Sequence, residues 1–307
     1  MSPDPATPTA RAVDRAALAR VLERQASSAS APWLHGEVAR RMAERLSVIR
    51  LQPTVVIDWW AHAGGSDAVL DAAYPKALRL RVEPTAALRE HSSRADALPW
   101  WSARRWRSSA PRVFDEATLP AAAGQLLWAN MMLHAVADPT ALMAQWQRAL
   151  AVDGFVMFST LGPATLAELR ALYRDLGWGS PHVPFVDMHD LGDMLVAAGF
   201  ADPVMDQEHL RLTWATPDAL LHELRTLGAN ADPARHAGLR NARWRERLQA
   251  ALRERAGADG RIALGFELVY GHAFKSAPRP KLAAETRLPL DDMRAMVRAG
   301  RRGVGGA

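Results

Sequence analysis

The sequence predicts an α/β protein built on a doubly wound, mostly parallel sheet, and three observations carry that prediction. Short runs such as Val55-Val56-Ile57 and Leu126-Leu127-Trp128 are apolar on both faces, as strands covered by helices on either side must be. These runs alternate with segments of helical periodicity. From Val55 to Glu83 a strand, a turn holding Gly64-Gly65, a helix and a second strand follow in the order of a βαβ unit.

Residues 1–8 carry three prolines and lack the charged-then-apolar layout of a secretory leader, which predicts a frayed tail on a cytoplasmic protein. Residues 10–24 are helix-prone with a thin apolar face, either a lid or a docked helix. Leu34, Val38, Met42, Leu46 and Ile49 recur at three- and four-residue spacings and predict an amphipathic helix over 32–49. Pro53 ends that pattern, and residues 54–59 read as a buried strand. A short helix over 66–73, a strand over 77–82 and a helix over 85–91 complete the unit. Residues 92–110 set Trp100, Trp101 and Trp106 among arginines without period, an irregular surface segment in which arginine stems cover indoles or an acidic partner docks.

Arg112-Val113-Phe114 predicts a third strand ending at Asp115, and residues 125–130 a fourth. Asp138 and Pro139 form a helix start, with Leu142, Met143, Trp146 and Leu150 on the buried face. Residues 155–159 make a fifth strand. Helices are expected over 163–174, 187–198, 217–228 and 244–255, and extended segments over 202–214 and 262–272. The remainder, rich in Pro, Arg and Gly, reads as a loosely attached basic tail.

Composition narrows the function classes. Apolar residues at 49% and charged residues at 23% suit a globular domain, and no run of 18 apolar residues offers a membrane span. With no cysteine, disulfides, thiolate metal sites and a cysteine nucleophile are excluded. The net charge of +5 rests almost wholly on arginine, since Lys76, Lys275 and Lys281 are the only lysines. No basic tract interleaves with aromatics, so no nucleic-acid partner is expected. Gly-x-Ser-x-Gly and the phosphate-binding Gly-x-x-x-x-Gly-Lys are absent, and the histidines lack metal spacing, His134 with Asp138 and His182 with His189 included.

Asp58, Glu83 and Asp115 all fall at predicted strand ends, where open parallel sheets bind their ligands. An acid about 20 residues beyond a glycine-bearing turn holds adenosine ribose hydroxyls by hydrogen bonds, which assigns Glu83 that role. Asp115 suits an exocyclic amine, and Asn130 the amino-acid portion of a ligand. Each of them alone is more often a helix cap or turn residue, and together they favour a nucleoside site.

From Asn130 onward the chain resembles the S-adenosylmethionine-dependent malonyl-acyl-carrier-protein O-methyltransferases of biotin biosynthesis. Trp128-Ala129-Asn130-Met131-Met132-Leu133-His134, residues 158–166, 184–195 and Glu267-Leu268-Val269-Tyr270-Gly271-His272-Ala273 carry the resemblance. It implies a Rossmann-like class I methyltransferase of seven strands with a helical insertion after the fifth, S-adenosylmethionine as methyl donor, and a malonyl group on an acyl carrier protein as acceptor. It divides the chain into an N-terminal helix and tail (1–31), a cofactor-binding half (32–161), substrate-side helices and last strands (162–273) and a flexible basic tail (274–307). Asp58, Gly64, Glu83, Asp115 and Asn130 fall on its cofactor positions, with no metal, and His134 is the candidate catalytic contact on the acceptor side.

The family runs its first strand into Asp-x-Gly-x-Gly-x-Gly. Here Trp60 and His62 stand in two of the glycine places, Gln125 replaces an acid and Ala135 an aromatic. By this reading the ribose and adenine ends are better kept than the methionine end, with Trp59 or Trp60 facing the sulfonium through its ring. Two alternatives stay open: a noncatalytic relative serving as a binding or scaffold protein, and a methyltransferase with another acceptor, such as a quinone precursor or small acid.

Overall fold

Seven strands form one sheet in the order β3-β2-β1-β4-β5-β7-β6. They are β1 (Val55–Trp59), β2 (Leu78–Glu83), β3 (Arg112–Asp115), β4 (Gly124–Ala129), β5 (Leu150–Leu161), β6 (Ala201–Trp214) and β7 (Ile262–Phe274). The first five pair in parallel, whereas β7 runs antiparallel between β5 and β6. The computed structural model describes residues 11–95, 112–236, 238 and 240–277, and every described element belongs to one compact unit, Met1–Ser276. The indole-rich part of 92–110 beyond Ala95, and the basic tail beyond Ala277, lie outside the described residues.

Around the sheet lie α1 (Arg15–Ala26), α2 (Trp33–Glu44), the short α3 (Ala61–Gly64), α4 (Asp67–Ala73), α5 (Ala86–Ala95), α6 (Pro139–Ala149), α7 (Ala167–Asp175), α8 (Met188–Ala197), α9 (Pro217–Leu227) and α10 (Ala242–Glu254). Strand alternation sorts the core into two layers. Val56, Leu126 and Trp128 join Leu34, Met42, Leu70, Leu172 and Leu252 on one face. Ile57, Trp59, Leu127 and Ala129 join Leu88, Trp146 and Leu195 on the other. Because successive side chains point to opposite faces, a strand apolar at every position feeds both layers.

Three elements differ from the sequence expectation. The helix expected over 32–49 stops at Glu44 and tightens into a 3₁₀ turn, Arg45–Val48. The helix expected from Pro163 begins at Ala167, because Leu166 sits in the left-handed region at φ 55° and its amide donates to the Gly265 carbonyl at 2.7 Å. β5 runs 12 residues rather than five, held along Phe155–Leu161 by β7. That partner is remote in sequence, so local pattern does not announce it.

The N-terminal helix is docked. Asp14 caps it by accepting from the Ala17 amide at 3.0 Å and pairs with Arg235 at 2.6 Å. Arg11 donates to the carbonyls of Leu133 and Val136, and Arg24 to that of Gly228 at 3.1 Å. These contacts tie α1 over the carboxyl ends of the strands.

Candidate active site

The turn after β1 begins with strain. Trp60 lies in the left-handed region at φ 55°, ψ 51°, a conformation costing a bulky residue on the order of 1–3 kcal/mol. Its amide is held by the Val82 carbonyl at 2.7 Å. The indole Nε1–H donates to Glu116 Oε1 at 2.7 Å, and the Trp59 indole donates to the same oxygen at 3.2 Å. Gln145 of α6 fixes this loop by donating to the Glu116 carbonyl. Trp59 also meets Trp146 edge-on, with ring centroids 6.3 Å apart.

Of the two glycines, Gly65 is the one the backbone requires. It has φ 62°, and a Cβ there would lie 2.7 Å from that of Ala31, whereas at Gly64 the nearest atoms would be 3.5 Å away. Gly64 instead offers its carbonyl to the Asn130 amide at 2.6 Å.

The acids divided by the sheet behave differently from one another. Glu83 is fully buried; its Oε1 accepts from the His62 amide at 2.9 Å and the Ser92 hydroxyl at 2.6 Å, while Oε2 has no partner. Burial pushes its carboxyl up to about 7 against the pull of those two bonds, and nearby Asp58 adds to the rise. Asp58, equally buried and also raised to about 7 by burial, has an unpartnered Oδ2. Asp115 is half-exposed and pairs with Arg89 at 2.5 Å. Asn130 is saturated: it donates to the carbonyls of His35 and Gly64 and accepts from the Ser159 hydroxyl at 2.7 Å. Glu83 and Asp58 are thus neighbours, and Asp115 is not part of their buried set.

A cavity of about 610 Å³ opens beside the turn, walled by α1, α7, α9 and α10 and floored by Met131, Leu161 and Phe266. Trp60, Ala63, His35, His134, His182 and Arg225 reach it, and Trp59, Glu83 and Asp115 do not. A second hollow of about 360 Å³ shares Gln25, Ala63 and Arg225 with it. His35 Nδ1–H donates to the Ala63 carbonyl and His182 Nδ1–H to that of Val183, each at 2.7 Å, which leaves both Nε2 atoms as bare, buried acceptors. His134 stacks edge-on against Phe185 and its Nδ1 has no partner. Burial, then the nearby His35, Arg11 and His182, lowers His134 to about 3. Burial lowers His35 to about 4. All these imidazoles are therefore neutral at pH 7. Asp138 does not pair with His134; it caps α6 through the Ala141 amide at 2.9 Å.

Sequence reasoning missed Glu116, His35, His182 and the placement of Arg225. Glu116 adjoins an acid already singled out, and the other three come together only through folding.

The family profile described as "Methyltransferase domain" matches residues 55–202. The malonyl-[acyl-carrier protein] O-methyltransferase of Laribacter hongkongensis is 40% identical over 270 residues, covering 86% of this chain and 88% of that protein. That of Gallionella capsiferriformans is 36% identical, covering 87% and 93%. The chain belongs to the malonyl-[acyl-carrier protein] O-methyltransferase family. Among solved structures, the YcgJ protein of Bacillus subtilis superposes with a TM-score of 0.52 at 13% identity over 79% of this chain and 99% of its own. The [4+2]-cyclase SpnF does so at 0.52 and 14%, over 88% and 98%. These two likenesses show the fold alone, and a fold shared with a cyclase does not fix the chemistry.

Family membership makes S-adenosylmethionine the methyl donor, so its fit to these residues can be tested in two parts. At the amino-acid end there is room: the cavity reaches Ala63 and Met131. At the nucleoside end the residues do not fit the group in this arrangement. Glu83 Oε2 is the orphaned acceptor a ribose hydroxyl would satisfy, yet it is sealed, and the space from β1 to Glu116 holds indole. Among the described residues no cluster of side chains fits a metal ion, and no helix is long and apolar enough to cross a membrane.

Proposed function

We propose that this chain transfers the methyl group of S-adenosylmethionine to the free carboxylate of a malonyl thioester carried on an acyl carrier protein, an early step of biotin synthesis. The observation that carries this reading is the 40% identity to a protein of that activity over most of both chains, joined to an apolar cavity at the strand tips.

The acceptor carboxylate is ionised at neutral pH and needs no general base, so the chain's contribution is alignment and exclusion of water. Asp58, Gly64, Glu83 and Asn130 build the donor side; Asp115, paired with Arg89, stands at its margin. On the acceptor side, the bare Nε2 atoms of His35 and His182 accept hydrogen bonds and therefore repel a carboxylate. Arg225 reaches the cavity and has no carboxylate partner among the described residues, so it receives the malonate. The imidazoles instead suit amide N–H groups of a pantetheine-like arm, with neutral His134 as a further contact.

The test is transfer of labelled methyl from S-adenosylmethionine to malonyl-carrier protein, with the product read by mass as the methyl ester. Transfer to malonyl-carrier but not to free malonate or to quinone precursors is expected. The filled nucleoside end favours a second reading, a binding protein that keeps the fold without the chemistry; binding of malonyl-carrier with no transfer at any donor concentration would establish it.

A further inference from the structure

Among the described non-glycine residues with positive φ, which are Trp60, Ala122, Met131, Asp153, Leu166 and Asp202, Trp60 is the bulkiest. Strain of this kind persists only where surroundings hold it, and Trp60 is held by its amide on the Val82 carbonyl and by its indole on Glu116. The ring starts at the tip of β1 and ends on Glu116, one residue past β3, and in the strand order β3-β2-β1 the strand between those two ends is β2, which closes on Glu83. A nucleoside whose ribose hydroxyls met Glu83 would occupy the same strip. Indole and purine are both flat bicycles, and the indole N–H donates to Glu116 as an exocyclic amine of the base would. Leu22 of α1 and Leu88 of α5 share the apolar cluster that closes over the ring.

We infer that Trp60 is an internal stand-in for the nucleoside base, so that a nucleoside donor enters only by displacing the indole from Glu116. The inference rests on the donor chemistry proposed above and adds the residue that sets its affinity. The observed affinity is the intrinsic one reduced by the fraction of molecules in which the indole has left. Removing the ring therefore strengthens binding, the reverse of what deleting an ordinary site residue does.

Isothermal titration of S-adenosylhomocysteine into the full chain tests this, beside Trp60→Gly and Trp60→Asn, two residues that accept the left-handed conformation. Circular dichroism checks that each variant is folded, and either folded variant suffices. Binding at least about tenfold tighter than the parent's is expected. In the parent, saturating ligand should also move the Trp60 indole N–H resonance, assigned by its absence from the variants. Equal or weaker binding by the folded variants overturns the inference, as does parent binding that leaves that resonance in place. The two readings fail separately: tighter binding without methyl transfer sinks the proposed activity alone, and efficient transfer with variants that bind no better sinks the stand-in alone.

Discussion

The strand tips present two neighbouring regions built on opposite plans. On the donor side, from the end of β1 to Glu116, two indoles share one carboxylate oxygen, and two buried acids are raised to about 7. On the acceptor side a cavity of about 610 Å³ stays open, lined by neutral imidazoles lowered to about 3 and 4 and by one arginine. Both sides hold buried polar atoms without partners: Asp58 Oδ2 and Glu83 Oε2 on the donor side, and a ring nitrogen each of His35, His134 and His182 beside the cavity. The difference teaches that relatedness to an enzyme family and readiness of its cofactor site are separate properties, decided here by one side chain.

The sharpest way to break the comparison is to empty the donor side from below. Trp59→Ala removes a fully buried ring packed on Trp146, and a loss of about 3–5 kcal/mol in urea unfolding is expected. A loss under about 1 kcal/mol would mean the indoles are not the packed half of the pair.

Acid–base behaviour should then set the two sides against each other. Folded Glu83 keeps its proton to about 7 while the unfolded chain releases it near 4.5, so stability falls as pH rises through that window and levels off above it. Glu83→Gln removes this loss and should be the more stable by about 2–3 kcal/mol at pH 8, with little difference at pH 4.5. An advantage independent of pH would show that Glu83 is not held protonated.

Malonyl-carrier kinetics probe the open side. Arg225→Ala should lower kcat/KM for methyl transfer about 10- to 100-fold, the loss of one charge-assisted bond, while S-adenosylhomocysteine binding is unchanged. If donor binding fell in parallel, Arg225 would belong to the other region.

The smallest effect concerns His134. Its folded form refuses a proton that the unfolded chain accepts below about 6.5, so the parent loses stability as pH falls from there toward about 3. His134→Phe should flatten that acid limb by roughly 1 kcal/mol at about pH 5.8 and leave pH 8 unchanged. An identical limb in both proteins would place the acid sensitivity in the other histidines that burial lowers, His35 and His182 among them.

Much of this was legible in the sequence, and what was not has a physical reason. Apolar runs on both faces gave β1 and β4, and Asp138-Pro139 gave the start of α6, because those signals are local. The length of β5 and the interruption at Leu166 were not, since both depend on β7, about 100 residues further along the chain. In the site, the bulk at Trp60 was visible, but the direction of its ring follows from a left-handed backbone that no periodicity encodes. His35, His182 and Arg225 lie on three separate elements and become one wall only in the folded chain.

The outermost strand, β6, has one long side without a described ladder partner, a standing invitation to association between molecules. It answers with a register shift between Ala201 and Val204 that brackets Pro203, and with Asp206 and Glu208, which Arg45 and Arg41 of the α2 region reach across to bind. A proline without an amide hydrogen and a fringe of paired charges make a poor template for a neighbour's backbone. Substituting Pro203, Asp206 and Glu208 together with threonine would strip that protection and should make the protein clump through this rim at a lower concentration than the parent does.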